Sequence, residues 1–292
     1  VKDMDRKGTG RRGFTLIEIL TGLGLLGLLS LVLLRLFLGQ TEAFKIQNGS
    51  LQTQQTLRSA LEILHRDFRG IGYPPLPSYF LNDLSSWFPA SYIPKFPRPV
   101  ELTGAVSVAS DPYGADTVTL LLVLPGSDNP TVLSQAVSAG DTRLPLALSP
   151  GRVSSQYRVS DVLYIGQGDE TAVVVGISGS TLMVDTDPGR PGWQGLKRDY
   201  PARSEVGELS LVSYALFTDL NDPDGNYHEP GIPLWKRKVN AGGFEPLMEG
   251  VRAVKVESLP PSWYRLRLAV SPPPFAKRAE VNLSLETRVW KK

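Results

Sequence analysis

The densest run of hard oxygen ligands in the sequence is Asp219, Asn221, Asp222, Asp224, Gly225 and Asn226, and groups of this kind are what a calcium ion takes up. Asp222, Asp224 and Asn226 are the metal candidates. The register of a helix–loop–helix calcium site fails, because the residue five before Gly225 is Leu220, where that loop begins with aspartate. Asp-Gly-Asn between two strand-like stretches is also an ordinary hairpin turn, and the turn accounts for these residues without a metal. Asp169-Glu170 and Glu205 with Glu208 have the composition of an acid–base couple, but nothing in the sequence brings either pair to a general-acid environment or a pocket. Solvated turns are the expectation. Gly166-Gln167-Gly168 lacks the third glycine and the helix of a dinucleotide fingerprint. The chain has two histidines, His65 and His228, far apart, no cysteine, and no G-x-S-x-G near a usable histidine. That removes disulfides, thiolate metal sites and cysteine nucleophiles. No catalytic constellation or cofactor site emerges, so the expectation is a protein that is not an enzyme. Lys236-Arg237-Lys238 and the closing Lys277-Arg278, Arg288, Lys291 and Lys292 could meet phosphate. A solvated edge strand guarded by charge explains them better, and DNA binding has no further support.

The remaining residue with unusual chemistry is Glu18, an acid near the start of an apolar run from Phe14 to Leu38. A carboxylate within such a run is unfavourable in hydrocarbon and calls for a purpose or a partner. Of those 25 residues, 17 are apolar and three are glycine, and a helix of that length, about 37 Å, exceeds a hydrocarbon core of roughly 30 Å. The segment can therefore span a bilayer. Residues 1–13 carry Lys2, Arg6, Lys7, Arg11 and Arg12 against Asp3 and Asp5, so their side is expected in the cytoplasm. Gly39-Gln40 follows the apolar run in place of the small-residue pattern of an ordinary cleaved signal. Arg35 lies near the outer end, where its stem can reach the interface. Gly22, Gly24 and Gly27 either permit close helix packing or weaken the helix locally.

Arg11-Arg12-Gly13-Phe14-Thr15-Leu16-Ile17-Glu18 resembles the processing site of type IV prepilins and pseudopilins. The resemblance implies cleavage by a prepilin peptidase between Gly13 and Phe14, N-methylation of the new terminus at Phe14, and a role for Glu18 in assembly and register. A carboxylate opposite a new ammonium is better suited to positioning than to stability. The family's common helix-breaking proline is missing from this span. His65-Arg66-Asp67-Phe68-Arg69-Gly70-Ile71-Gly72-Tyr73 is similar to the end of the long helix in PilW-like minor pilins. Leu234-Trp235-Lys236-Arg237 and Glu245-Pro246-Leu247-Met248-Glu249-Gly250-Val251 resemble a later part of the same proteins.

Phe44, Leu51, Leu57, Leu61, Leu64 and Phe68 fall mostly at intervals of three, four and seven, which predicts an amphipathic helix continuing over 39–72. Gly70, Gly72, Pro74 and Pro75 end it. Residues 73–99, rich in proline and aromatics, predict an irregular stretch pinned against that helix. Strand-like runs follow at 100–108, 116–124, 162–165, 171–177, 181–184, 208–217, 251–257, 263–270 and 280–290. In the last, Val281, Leu283, Leu285 and Val289 alternate with Asn282, Ser284, Glu286 and Arg288, the pattern of a strand with one buried face.

The fold class read from the sequence is α+β and pilin-like. A long N-terminal helix, transmembrane in its first half, packs on a mainly antiparallel sheet. Residues 1–13 are a leader, 14–38 the membrane segment, 39–72 the periplasmic helix and 73–292 the β-rich domain. Residues about 127–205 are a β-rich insertion with turns at Gly140-Asp141, 166–169 and 187–192. The resemblance implies a minor pilin of the priming or tip complex, with twitching motility, adhesion or DNA uptake downstream. Its implied partners are the prepilin peptidase, other minor and major pilins, the inner-membrane assembly platform and lipid. It implies an inner-membrane protein, N-terminus cytoplasmic and C-terminal domain periplasmic, that then enters the pilus. A minor pseudopilin of a type II secretion system shares the same leader. A signal-anchored periplasmic enzyme and a DNA receptor are the readings from other classes.

Overall fold

The computed structural model describes residues 14–71, 74–93, 105–110, 116–123, 130–218, 234–249, 251–259, 263–270 and 281–288. Two units divide the chain, Val1–Gln52 and Thr53–Lys292. Helix α1, Leu16–Arg69, runs through the boundary with 54 residues. In the first unit, Leu16–Lys45 is long and apolar enough to cross a membrane, at about 45 Å of helix. Its large apolar side chains are exposed throughout, and a Cβ at Gly22, Gly24 or Gly27 would meet nothing within 4 Å.

In the second unit α1 is followed by two single-turn helices, α2 (Ser78–Leu81) and α3 (Leu84–Trp87). Strands β1 (Val106–Ser110), β2 (Asp116–Leu122), β3 (Thr131–Val132) and β4 (Arg143–Pro145) come next, then α4 (Pro150–Gln156). After it run β5 (Val162–Ile165), β6 (Glu170–Ser178), β7 (Thr181–Asp185) and β8 (Glu205–Phe217). The last five strands are β9 (Leu234–Val239), β10 (Glu245–Glu249), β11 (Val251–Leu259), β12 (Trp263–Val270) and β13 (Val281–Arg288). β1 to β10 form a ten-stranded sheet and β11-β12-β13 a three-stranded one, with every strand pair antiparallel. The protein is thus α+β with an N-terminal apolar helix and a large antiparallel sheet.

β8 is the strand that the rest share. Its first residues pair with β3 and β5, and its later ones with β2 and β9. β2 and β8 are buried almost without a break, because both faces of the sheet are covered. Val118, Leu120 and Leu122 with Val212, Tyr214 and Leu216 share a core with Leu57, Ala60, Leu64 and Phe68 of α1. Leu121, Leu209 and Leu211, which alternate with them and so point the other way, pack against Phe80, Leu84, Trp87, Phe88 and Tyr92. The aromatic stretch expected against the helix therefore lies on the opposite face of the sheet. A third core belongs to residues 133–206 and includes Leu144, Val153, Tyr157, Leu163, Val174 and Leu182.

Gly207 and Gly168 are among the glycines required by their surroundings. A Cβ on Gly207 would collide with the Tyr164 ring, and one on Gly168, at φ +87°, would collide with the Pro75 carbonyl. The expected turns carry the positive φ that such turns need: Gly140 at 90°, Gly166 at 70°, Gly168 at 87° and Gly192 at 82°. On α1 the packed apolar face begins at Leu57, while Phe44 and Leu51, expected on the same covered stripe, are 63% and 55% exposed.

Candidate functional site

Phe14 and Thr15 precede the first helical residue, Leu16. The Thr15 backbone N–H and its hydroxyl each donate to Glu18 Oε2 at 2.9 Å, and the Glu18 N–H donates back to Thr15 Oγ1 at 3.4 Å. This is a reciprocal capping box, which satisfies donors that the first helical turn leaves without partners. The Thr21 hydroxyl donates to the Ile17 and Glu18 carbonyls at 2.8 and 3.1 Å. Glu18 Oε2 takes both bonds from Thr15, and Oε1 accepts none among the described residues. The carboxylate thus fixes the helix start through Oε2. The sequence reading gave Glu18 a place in assembly and missed the cap, although Thr-x-x-Glu ahead of an apolar run is its signature. Gly13 lies outside the described residues.

At the far end of α1, Asp67 is 2% exposed. Its Oδ2 receives Arg237 Nη2 at 2.8 Å, Arg237 Nε at 3.0 Å and the Tyr214 hydroxyl at 2.5 Å. Arg237 Nε also reaches the Tyr214 oxygen at 3.2 Å, and Arg66 Nε reaches Asp67 Oδ1 at 3.4 Å. Burial and the adjacent Asp67 charge push the Tyr214 phenol above its ordinary range, so it stays a donor. The triad ties α1 to both β8 and β9. It also corrects the reading of Lys236-Arg237-Lys238 as a solvated edge strand, since β9 pairs with β8 on one side and β10 on the other. Lys236 Nζ sits 5.0 Å from the centre of the Phe217 ring, and Lys238 Nζ donates to the Ser91 carbonyl at 2.7 Å. The run is thereby committed to intramolecular contacts.

The carboxylate pairs expected in solvated turns divide. Asp169 is exposed and pairs with Arg198 at 3.7 Å. Glu170 is buried at 1% exposure, accepting the Lys197 N–H at 2.9 and 3.1 Å and the Tyr200 hydroxyl at 3.1 Å. Burial raises its pKa, and those bonds pull it back. Glu205 accepts the Tyr164 hydroxyl at 2.7 Å, and Glu208 accepts Asn240 Nδ2 at 3.0 Å. Glu170 is therefore an interior group and Glu208 a half-buried one, both with partners distant in sequence. Asp222, Asp224, Asn226 and His228 lie outside the described residues. Among the described residues, no group of three histidine, aspartate or glutamate side chains is placed to hold a metal ion.

The geometry defines an α+β protein with a capped, apolar N-terminal helix. No protein-family model, curated protein or solved structure matches the chain.

Proposed function

We propose that this chain is a type IV prepilin-like, membrane-anchored subunit, most similar in plan to the PilW-like minor pilins. In this reading it serves the assembly of a pilus and catalyses no reaction. The observation that carries the proposal is the N-terminal helix. An apolar stretch, Leu16–Lys45, with its large side chains uncovered, is headed by a single acid whose carboxylate is held on the first turn by Thr15. A carboxylate kept at the head of a bilayer-length helix needs a cationic partner. Cleavage after Gly13 would create one, the ammonium of Phe14, four residues away on this chain or on a neighbour. The apolar side chains would face lipid before assembly and neighbouring pilin helices after it. In this reading the protein sits in the inner membrane with its β-rich domain in the periplasm until it enters the pilus.

The test is the N-terminal mass of the full chain recovered from membranes of cells with and without an active prepilin peptidase. N-methyl Phe14 as the first residue, only when the peptidase works, is the expected result. An intact leader in both strains defeats the proposal and leaves an ordinary signal-anchored protein.

A further inference from the structure

The ten-stranded sheet ends on one side at β1, whose sequence is Val-Ser-Val-Ala-Ser. β1 pairs with β2 in unbroken register, Val106 opposite Leu120 and Ser110 opposite Asp116, and the Leu121 N–H donates to the Ala105 carbonyl at 2.9 Å. In an antiparallel ladder, bonded and non-bonded pairs alternate. Ala105, Ser107 and Ala109 therefore turn their backbone groups toward β2, while Val106, Val108 and Ser110 turn theirs outward. Among the described residues no strand takes up these outward N–H and C=O groups. Side chains alternate across the sheet as well. Val106 and Val108 share the α1 face, where Val106 packs against the core of Leu57, Leu64 and Phe68, and Val108, farther along the strand, is left 39% exposed.

Other margins of the same sheet are guarded against an incoming strand. β4 is three residues long and carries Arg143 and Pro145, and the Pro145 carbonyl accepts the Ser134 N–H at 2.9 Å. β10 carries Glu245, Pro246 and Glu249, and its register with β9 shifts between Pro246 and Met248. Charge, proline, bulges and short length are what keep a sheet edge from pairing with another chain. β1 has no charge, no proline and no register shift. Its sequence also suits its own copy. Turned antiparallel about Val108, two β1 strands set Val108 against Val108, Val106 against Ser110 and Ser107 against Ala109, with no like charges opposed.

We propose that β1 is a self-association edge: the β1 strands of two copies of this chain pair antiparallel about a two-fold axis at Val108 and join their sheets. Each copy contributes the outward groups of Val106, Val108 and Ser110, so the new ladder holds about six hydrogen bonds. The two Val108 side chains lie side by side on the α1 face and cover each other. The arrangement is isologous, so it closes at two copies and does not run on into a fibre. Five paired residues to a side fall short of the ~1,000 Å² that a stable interface buries. The contact is therefore a weak one that forms where copies are concentrated, on a membrane above all.

The chain has no cysteine, so single cysteines read the pairing. In a bonded antiparallel pair the Cα atoms lie about 5.5 Å apart, within the reach of a disulfide. With the full chain in cell membranes under mild oxidation, Val108→Cys should form disulfide-linked dimers many-fold above Val132→Cys, a control on β3 of similar exposure, 36%. Val106→Cys and Ser110→Cys should each link poorly alone and well when the two chains are expressed together, because only that combination sets them opposite. None of these exchanges empties a fully buried site, since Val106 is half-buried and the other three are exposed. Three results overturn the proposal: Val108→Cys no more linked than Val132→Cys, Val106→Cys linked to itself as readily as to Ser110→Cys, or Val108→Cys linked to a different protein instead of its own copy. A chain whose leader stays uncut should give the same cross-links, so failure of the prepilin reading leaves this result standing.

Discussion

Two stretches of α1 place a carboxylate near a helix end in opposite settings. At the start, Glu18 is exposed and bonded to a residue three positions away. At the end, Asp67 is buried and bonded to residues 147 and 170 positions away. The same division runs through the apolar side chains, exposed from Leu16 to Leu38 and buried at Leu57, Leu64 and Phe68. One helical element thus carries an uncovered apolar stretch and a covered one. The acid of the first stretch is satisfied locally, while that of the second is completed by strands distant in sequence. Local satisfaction suits a segment that changes surroundings, and long-range satisfaction suits one that does not.

The largest effect should come from breaking the long-range carboxylate. Asp67→Ala strands a mostly buried Arg237, whose side chain is 18% exposed, and should destabilise the second unit by about 3 kcal/mol or more. Denaturant unfolding of the full chain in micelles measures it. Asp67→Leu combined with Arg237→Met should recover much of that loss, since replacing both charges removes the stranded one. If the double variant is no better than the single, the pair is more than a matched set of buried charges. Leu64→Ala, beneath the sheet, should cost about 2 to 4 kcal/mol in the same assay. Leu33→Ala, in the uncovered stretch, should leave that transition unchanged. The smallest effect belongs to the local cap. Thr15→Ala should weaken the first turn by about 1 kcal/mol, seen as faster amide exchange at Leu16 to Glu18. Glu18→Gln keeps a capping acceptor while removing the charge, and should exchange like wild type. Under the proposed role, a Glu18→Gln chain that fails to enter pili would show that the charge rather than the cap is what assembly uses.

Much of the β structure was legible. Strand runs read at 116–124, 162–165, 171–177, 181–184 and 263–270 coincide closely with β2, β5, β6, β7 and β12, since their side chains are β-branched or apolar and turn glycines bound several of them. β3 and β4, of two and three residues, carry too little pattern to be read. β8 begins at Glu205, three residues before the run read at 208–217, because Gly207 looks like a breaker until Tyr164 is seen to need its space. The site was legible in its residues and less so in its bonding. Glu18 drew notice through its apolar neighbours, whereas the bonding of Asp67, Glu170 and Glu208 depends on Arg237, Tyr200 and Asn240, which only the fold brings near. The sharing of β8 by β3 and β5 on one stretch and β2 and β9 on the other was equally out of reach, since pairing partners are a property of the sheet.

The Asp67 triad also has a mechanical meaning. A tug on the end of α1 has a route along the chain, through Gly70 and Ile71 to the hydrogen-bonded bridge with Leu122 of β2. The triad adds a lateral route, through Arg237 and Tyr214 into β9 and β8. Force entering at two places is divided among strands, so the junction of the α1 end with the sheet does not depend on one loop to bear the load.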